Sequence, residues 1–467
     1  MRHCFITEPQ KNMFKMNRFQ FCVRATALLV LLLAGPGVVK GIPSDTLYLD
    51  LDAAVDIARD QNPTLRVARL EVESREAGIQ EIRGSYLPSL NVSGGYNRNI
   101  MRPIIFLPDD SPFGGNGYLE VGSDNSFMAT LSAQMPLYNP VLNRSLDAAR
   151  AERDLAGEQL RASRIELEYN VQLAFFDALL ARESLDVMRK SLRNATENLE
   201  RTRRMYEQGT VAEYDLIRAE VQTENLRPNV LQAENAYEQA VDYLKALIGV
   251  DKSQPLSVTG HLTDLAESRV ADFRIADASR SLEKNTELTQ MDLQLNMLNY
   301  QRETARAGGL PSLGLAGNYQ YQTESNHFRC DDFRWVETFS AGFSLTIPLF
   351  NGFAVRQQTK QLDIAAEQVK LQRDYLEDNL DIQLEGVLKS MLVAMEKTAN
   401  ARSNVRMAER GYEIAQTRYE SGQGTLMELN DSEVALTQAR FNLLQAKHEI
   451  LQAKAEYDKF IGDNNKL

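Results

Sequence analysis

Apolar residues along this chain recur with two different periods. Leu167, Val171, Ala174, Ala178, Ala181, Leu185, Met188, Leu192, Ala195 and Leu199 follow one another in alternating steps of four and three. That is the 3.5-residue repeat of a helical seam buried against a neighbour. A shift of 213 residues lands on Leu384, Val387, Met391, Ala394, Thr398, Ala401, Val405, Ala408 and Tyr412, with Thr398 the one polar member. The pattern predicts very long helices over 143–208 and 355–421, each followed by a return helix, 213–247 and 425–460. At about 1.5 Å per residue the longer pair would extend on the order of 100 Å, more than a compact globule requires. Alanines at so many seam positions imply close helix approach.

Four shorter segments alternate with a period of two. Leu90, Val92, Gly94 and Tyr96 are interleaved with Asn91, Ser93, Gly95 and Asn97, and Phe127, Ala129, Leu131, Ala133 and Met135 with Met128, Thr130, Ser132 and Gln134. Leu313, Leu315, Gly317, Tyr319 and Tyr321 form a third set, and Phe339, Ala341, Phe343, Leu345 and Ile347 a fourth. The predicted strands cover about 89–100, 126–136, 312–322 and 338–348. Alternation of this kind describes a half-buried strand of a soluble sheet, and equally a transmembrane β-strand with lipid on one side and water on the other. Aromatics at the segment ends and four copies in one chain favour the second. Four strands cannot close a barrel, and an open edge in lipid is forbidden, so several chains would have to share one barrel.

The two periods occur in the same order twice. LPSLNVSGGY at 87–96 matches LPSLGLAGNY at 310–319, and the same shift of 223 residues pairs Asn62 with Asn285 and Leu65 with Leu288. MPLYN at 135–139 answers IPLFN at 347–351, and YEQG at 206–209 answers YESG at 419–422. Repeats have to be recognised before a fold is assigned. The chain divides into a first repeat over 42–250, a connecting segment over 251–272 and a second repeat over 273–467.

Composition narrows the classes. The chain has 467 residues, 52 Lys and Arg against 64 Asp and Glu, and a net charge of -12. It has no basic footprint, so nucleic acid is not an expected partner. Three cysteines, Cys4, Cys22 and Cys330, make neither a zinc ribbon nor a disulfide framework. No GxSxG, HExxH, P-loop or GxGxxG motif is present, so neither an enzyme nor a cofactor is expected. Cys330 stands near His327, Asp331 and Asp332, but in a stretch that reads as an exposed loop, and a metal site there is disfavoured. Arg18 and Arg24 precede the apolar run 25–39, and Gly41 ends it, which reads as a signal peptide over 1–41. A start at Met13 or Met16 would give it a more usual length. The run falls short of the roughly 20 residues of a spanning helix, which disfavours an uncut anchor. Pro36 after LLAG, where a lipoprotein would carry Cys, disfavours a lipid anchor.

Two tandem copies of helix, strand hairpin, very long helix, glycine turn and return helix resemble the TolC family of outer-membrane efflux proteins. The likeness is carried by the opening helix over 49–63 that ends in Asn62-Pro63, both LPSL segments and both Pro-Leu-aromatic-Asn strand exits. It implies a mainly α fold with a small transmembrane β part. Three chains would form a 12-stranded β-barrel in the outer membrane of a Gram-negative bacterium, continuous with an α-helical tunnel in the periplasm. The implied function is export of drugs or other toxic solutes as the outer component of a tripartite efflux system. The partners would be outer-membrane lipid, a periplasmic adaptor (membrane fusion) protein and an inner-membrane pump, of RND type. An exit duct for type I protein secretion is the alternative within the family. A periplasmic coiled-coil adaptor or scaffold is the alternative outside it, although such proteins lack paired amphipathic strand hairpins.

The resemblance also assigns residues. The tunnel tips fall at the two glycine turns, with Gly209, Thr210, Val211, Gly422, Gln423 and Gly424 as adaptor-docking positions. Gly209 and Gly422 are further expected to end their helices in the left-handed conformation. Glu428 and Asp431 match the positions of an acidic ring that narrows the periplasmic aperture, and at i and i+3 they share one helix face. Acids in the first turn of a helix are also favoured by its dipole without any pore role. Asp215 and Tyr419 match positions that clasp neighbouring hairpins in the closed state. Gly424 stands where the family's clasp is completed by an Arg, which predicts a weaker latch.

Overall fold

The computed structural model describes residues 46–106, 118–270, 273, 281–328 and 333–462. The signal segment 1–41 and Cys330, Asp331 and Asp332 lie outside the described residues. In chain order the elements are β1 (Leu47–Leu49), α1 (Leu51–Gln61), α2 (Pro63–Gly84), β2 (Ser89–Arg98), β3 (Ile104–Phe106), β4 (Tyr118–Glu120), β5 (Asn125–Tyr138), α3 (Pro140–Glu207) and α4 (Glu213–Ile248). The second part of the chain adds β6 (Leu256–Val258), α5 (Leu262–Val270), α6 (Thr286–Ala307), β7 (Ser312–Ser325), β8 (Val336–Thr346), α7 (Ala354–Glu420) and α8 (Leu426–Ile461). Helices α3 and α7 run for 68 and 67 residues, on the order of 100 Å. The opening helix starts later than the resemblance suggested, because Leu49 belongs to β1 and Asp50 caps α1 by accepting from Ala53 N at 2.9 Å.

The compact units cut across the sequence repeats. One contains residues 82–142 and 309–351, strands from both halves; the other contains the remaining described residues, helices from both halves. In the strand unit, β2, β5, β7 and β8 form one antiparallel sheet in that order. The register keeps the alternation coherent across all four strands: Val92 is opposite Leu131, Leu131 opposite Tyr319, and Tyr319 opposite Phe339. Asn91, Ser132, Asn318 and Ser340 line up in the same way on the other face. Antiparallel partners share a face, so this register makes one side of the sheet apolar and the other polar. Strands β5 and β7, with 14 residues each, are longer than the ten or so residues expected. Between β2 and β5 the chain forms a short hairpin, β3 with β4.

The helical unit is built on helix seams and buried caps. Val171, Ala174, Phe175, Phe176, Ala178 and Leu179 of α3 are buried with Ala54, Val55 and Ala58 of α1 and Leu244 and Ile248 of α4. The segment 251–272, expected as a connector, supplies β6 and α5 to this core, and β6 pairs parallel with β1. Leu380, Leu384, Val387 and Leu388 of α7 form the equivalent cluster with Leu288 and Tyr457. The polar seam member Thr398 satisfies its hydroxyl on the carbonyls of Ala394 (2.8 Å) and Ala446 (3.2 Å).

Asn62 and Asn285 explain their place in the repeat. Asn62 Oδ1 accepts from the backbone N–H groups of Thr64 (2.8 Å) and Leu65 (3.3 Å), while its Nδ2 donates to the Leu247 carbonyl at 2.8 Å. Asn285 repeats the arrangement on Glu287 (2.9 Å), Leu288 (3.3 Å) and the Phe460 carbonyl (3.0 Å). Each buried side chain thus caps the start of one helix and ties down a carbonyl at the end of another, three groups that helix geometry leaves unsatisfied. Both asparagines line one cavity of about 450 Å³. The helix that each ties down ends in a left-handed glycine, Gly249 (φ 78°) or Gly462 (φ 64°). A Cβ on Gly249 would stand 3.0 Å from the Gln61 carbonyl oxygen.

Candidate functional site

Two surfaces stand out: the amphipathic sheet and the pair of helix–turn–helix tips. On the apolar side of the sheet Val92 is 80% exposed, Phe339 73% and Phe343 75%. A row of such side chains left in water would be unfavourable, whereas lipid accepts it. Strand β2 pairs only with β5, and β8 only with β7, among the described residues. Both edges therefore present unpaired backbone groups. At the loop end, Tyr96, Phe127, Phe328, Phe333, Trp335 and Tyr321 form a connected set of ring contacts, with Tyr321 and Trp335 stacked at 4.6 Å. Rings with an apolar body and a polar edge suit the membrane interface.

The two tips repeat one another. Gly209 and Gly422 both have φ 71°, the left-handed conformation that lets a helix end and turn back. Thr210 N donates to the Met205 carbonyl at 2.9 Å, and Gln423 N, 213 positions on, to the Arg418 carbonyl at 2.8 Å. The Thr210 hydroxyl also donates to the Met205 carbonyl, at 2.8 Å. Thr210, Gly422 and Gln423 are exposed, and Val211 is half-buried. Gly424 is small for a steric reason: a Cβ there would lie 3.1 Å from both Arg418 Cβ and Tyr419 N. The cation at this tip is instead Arg418, whose Nη2 donates to the Gln423 carbonyl at 3.2 Å and lies 3.8 Å from Glu428 Oε2.

The acidic pair divides into two roles. Glu428 closes a capping box: its backbone N–H donates to Thr425 Oγ1 at 3.2 Å, and its Oε2 accepts from Thr425 N at 3.3 Å. This geometry supplies the stabilising role of a first-turn acid. Asp431, one turn on and exposed, has no place in that box.

Tyr419 is buried, and its hydroxyl meets Thr202 Oγ1 at 2.8 Å, not Asp215. Asp215 sits half-buried in the first turn of α4. Thr202 is fully buried and also donates to the Asn198 carbonyl at 2.9 Å. Packing explains this partner. Tyr419, Leu426 and Leu429 of the second tip bury themselves with Ala219, Leu199 and Met205 of the first, which carries the tyrosine ring inward against α3.

Thr202 heads a polar stretch of the seam between the two helical hairpins that sequence reasoning passed over. Asn194 Nδ2 lies 3.1 and 3.2 Å from the Glu433 carboxylate oxygens, Thr437 bonds Ser191 at 3.4 Å, and Arg201 pairs with Glu420 at 2.6 Å. A signal was present. One further step of three beyond Leu199 lands on Thr202, and steps of three, four and three through Leu426, Leu429, Glu433 and Leu436 put an acid on a buried stripe.

An amphipathic sheet with open edges and long helical hairpins with paired tips define a subunit of a membrane channel, not a soluble scaffold. The chain belongs to the outer membrane efflux protein family, whose model matches residues 54–250 and 278–463. It is therefore an outer-membrane protein of a family of channels. It is 25% identical over 316 residues to outer membrane protein TolC of Vibrio cholerae, a match covering 66% of each chain, so it spans about two thirds of that relative's length. It is 25% identical over 333 residues to the alkaline protease secretion protein AprF of Pseudomonas aeruginosa, covering 68% of this chain and 66% of that one. Among solved structures, the CmeC outer membrane channel of Campylobacter jejuni superposes with a TM-score of 0.69 at 19% identity, covering 88% of this chain and 85% of that one. At that identity the likeness speaks for the fold.

Proposed function

We propose that three copies of this chain close a 12-stranded barrel in the outer membrane of a Gram-negative bacterium, continuous with a helical tunnel in the periplasm. The channel exports small toxic solutes as the outer component of a tripartite efflux system. The carrying observation is the four-stranded sheet with one exposed apolar face and two unpaired edges. Edges cannot stay open in lipid, and pairing β8 of one copy with β2 of the next satisfies both. Each repeat, 42–250 and 273–467, supplies two strands and one helical hairpin. The polar face of Asn91, Ser132, Asn318 and Ser340 lines the lumen and offers water-soluble cargo a path without tight sites. The tips at Gly209, Thr210, Val211, Gly422, Gln423 and Gly424 receive the periplasmic adaptor, and an RND-type pump delivers cargo from the inner membrane. Glu428 and Asp431 ring the periplasmic aperture, with Asp431 the more open charge.

A second reading, an exit duct for type I protein secretion, is favoured by the likeness to AprF, which is named for alkaline protease secretion. Electron microscopy of purified protein tests the assembly: threefold particles with one pore and a rod on the order of 100 Å are expected, and a monomer with its own closed barrel overturns it. Deletion of the gene separates the two cargoes. Drug sensitivity with an unchanged secretome supports efflux, and a missing secreted protein with unchanged drug tolerance supports the duct.

A further inference from the structure

The buried carboxyl of Glu433 has no part in the aperture or the docking turns, yet it occupies the seam along which the two hairpins meet. Glu433 is 7% exposed and lies two turns into α8, about 10 Å from the tip. From α3 it faces Ser191 and Asn194, neutral donors, with Asn198, Glu197 and Arg201 beyond them around Tyr412. From α7 it faces Tyr412 and, further off, Glu409; from its own helix it faces Arg440, which is itself paired with Glu409 at 3.0 Å. Among the described residues no cation lies within ion-pair distance of it. Burial, the largest influence, pushes its proton affinity above the ordinary carboxylate range, against the pull of Asn194, Ser191, Arg440 and Tyr412. An unpaired charge in such a place is costly, and the group avoids the cost by keeping its proton or by reaching water.

We propose that Glu433 is a positioning residue that couples the separation of the two helical hairpins to proton concentration: the seam holds while its carboxyl is protonated and parts as it ionises. Resting on the channel reading above, parting of this seam widens the periplasmic aperture. Around Glu433 the lower seam is polar, although an apolar cluster of Leu199, Ala219, Leu426 and Leu429 lies below it at the tips. Ser191–Thr437, Asn194–Glu433 and Thr202–Tyr419 are hydrogen bonds that water can replace, whereas Val171, Phe175 and Leu179 further up α3 form a buried apolar contact that water cannot. Because the closed seam raises the proton affinity, the proton in turn favours the closed seam. That preference is complete below the ordinary carboxylate pKa and fades as pH rises through the elevated one, by at most about tenfold per pH unit and per chain.

The test uses the full-length protein with Cys4, Cys22 and Cys330 replaced by Ser and spin labels on cysteines at the exposed positions Glu200 of α3 and Gln438 of α8, with pulsed-EPR distances taken from pH 4.5 to 8.5. Wild type should move from a short to a long distance as pH rises. Glu433→Gln, the same shape without the charge, should stay short throughout. Asn194→Ala removes a donor to the ionised form and should shift the midpoint to higher pH, a change that a purely structural role would not produce. A pH-independent wild-type distance overturns the proposal, as does a transition that survives in Glu433→Gln. Single-channel conductance over the same range separates the two layers: a moving seam with constant conductance retains the Glu433 coupling and removes its link to the aperture.

Discussion

Replacing either buried asparagine cap tests whether the two repeats are held by the same device. In Asn62→Ala the first turn of α2 loses its acceptor, which costs about 0.5–2 kcal/mol. The Leu247 carbonyl loses the Nδ2–H that lies 2.8 Å away, and a buried carbonyl left unsatisfied adds about 1–3 kcal/mol. Allowing for partial overlap, the loss should be about 2–4 kcal/mol, on the order of 3–6 °C for a cooperative unit of roughly 300 residues such as the helical one. Asn62→Ser keeps a good cap but cannot reach Leu247, so it should fall between wild type and the alanine variant. Asn285→Ala should match Asn62→Ala, because its hydrogen bonds have nearly the same lengths, down to the 3.0 Å contact with Phe460. The assay is thermal unfolding by far-ultraviolet circular dichroism at one scan rate and one protein concentration, since assembly makes the midpoint depend on concentration. An alanine variant that melts with wild type refutes the argument, and a serine variant as poor as alanine refutes the division between cap and tie.

Three further outcomes follow from the same geometry. Leu131→Arg or Phe343→Arg should cost roughly 2–4 kcal/mol near the bilayer midplane, whereas Arg at Ser132 or Ser344 should assemble and change pore charge; equal loss of SDS-resistant oligomer in both pairs would invert the strand phase. Glu428→Gln with Asp431→Asn should lower cation selectivity with assembly nearly intact, because Gln also completes a capping box; planar-bilayer reversal potentials under a salt gradient check it, and unchanged potentials remove both residues from the aperture. Tyr419→Phe deletes the 2.8 Å bond to Thr202 and should cost about 0.5–1.5 kcal/mol while raising open-channel probability; a variant with wild-type stability and gating would show that this contact does not hold the tips.

Local and periodic features were legible in the chain alone. The 3.5-residue repeat located α3 and α7, since a coiled seam must present an apolar side chain at every step. The period-two segments located the four strands for the same reason, and Gly209 and Gly422 marked turns that only a left-handed residue closes without strain. Packing in three dimensions settled who meets whom. Nothing local says that β5 pairs with β7 across the repeats, that residues 251–272 contribute a strand to the core of α1, or that the compact units divide strands from helices and not first half from second. Tyr419 shows the limit most clearly: only the packing of the two turns brings its hydroxyl to Thr202. The same holds for Glu433 and for the asparagine caps, whose side chains reach groups between 175 and 239 positions away in the chain, Asn285 on Phe460, Asn62 on Leu247 and Glu433 on Asn194. Hydrogen bonds between side chains carry no periodic signal, and only the packed helices bring those groups within 3 Å or so of one another.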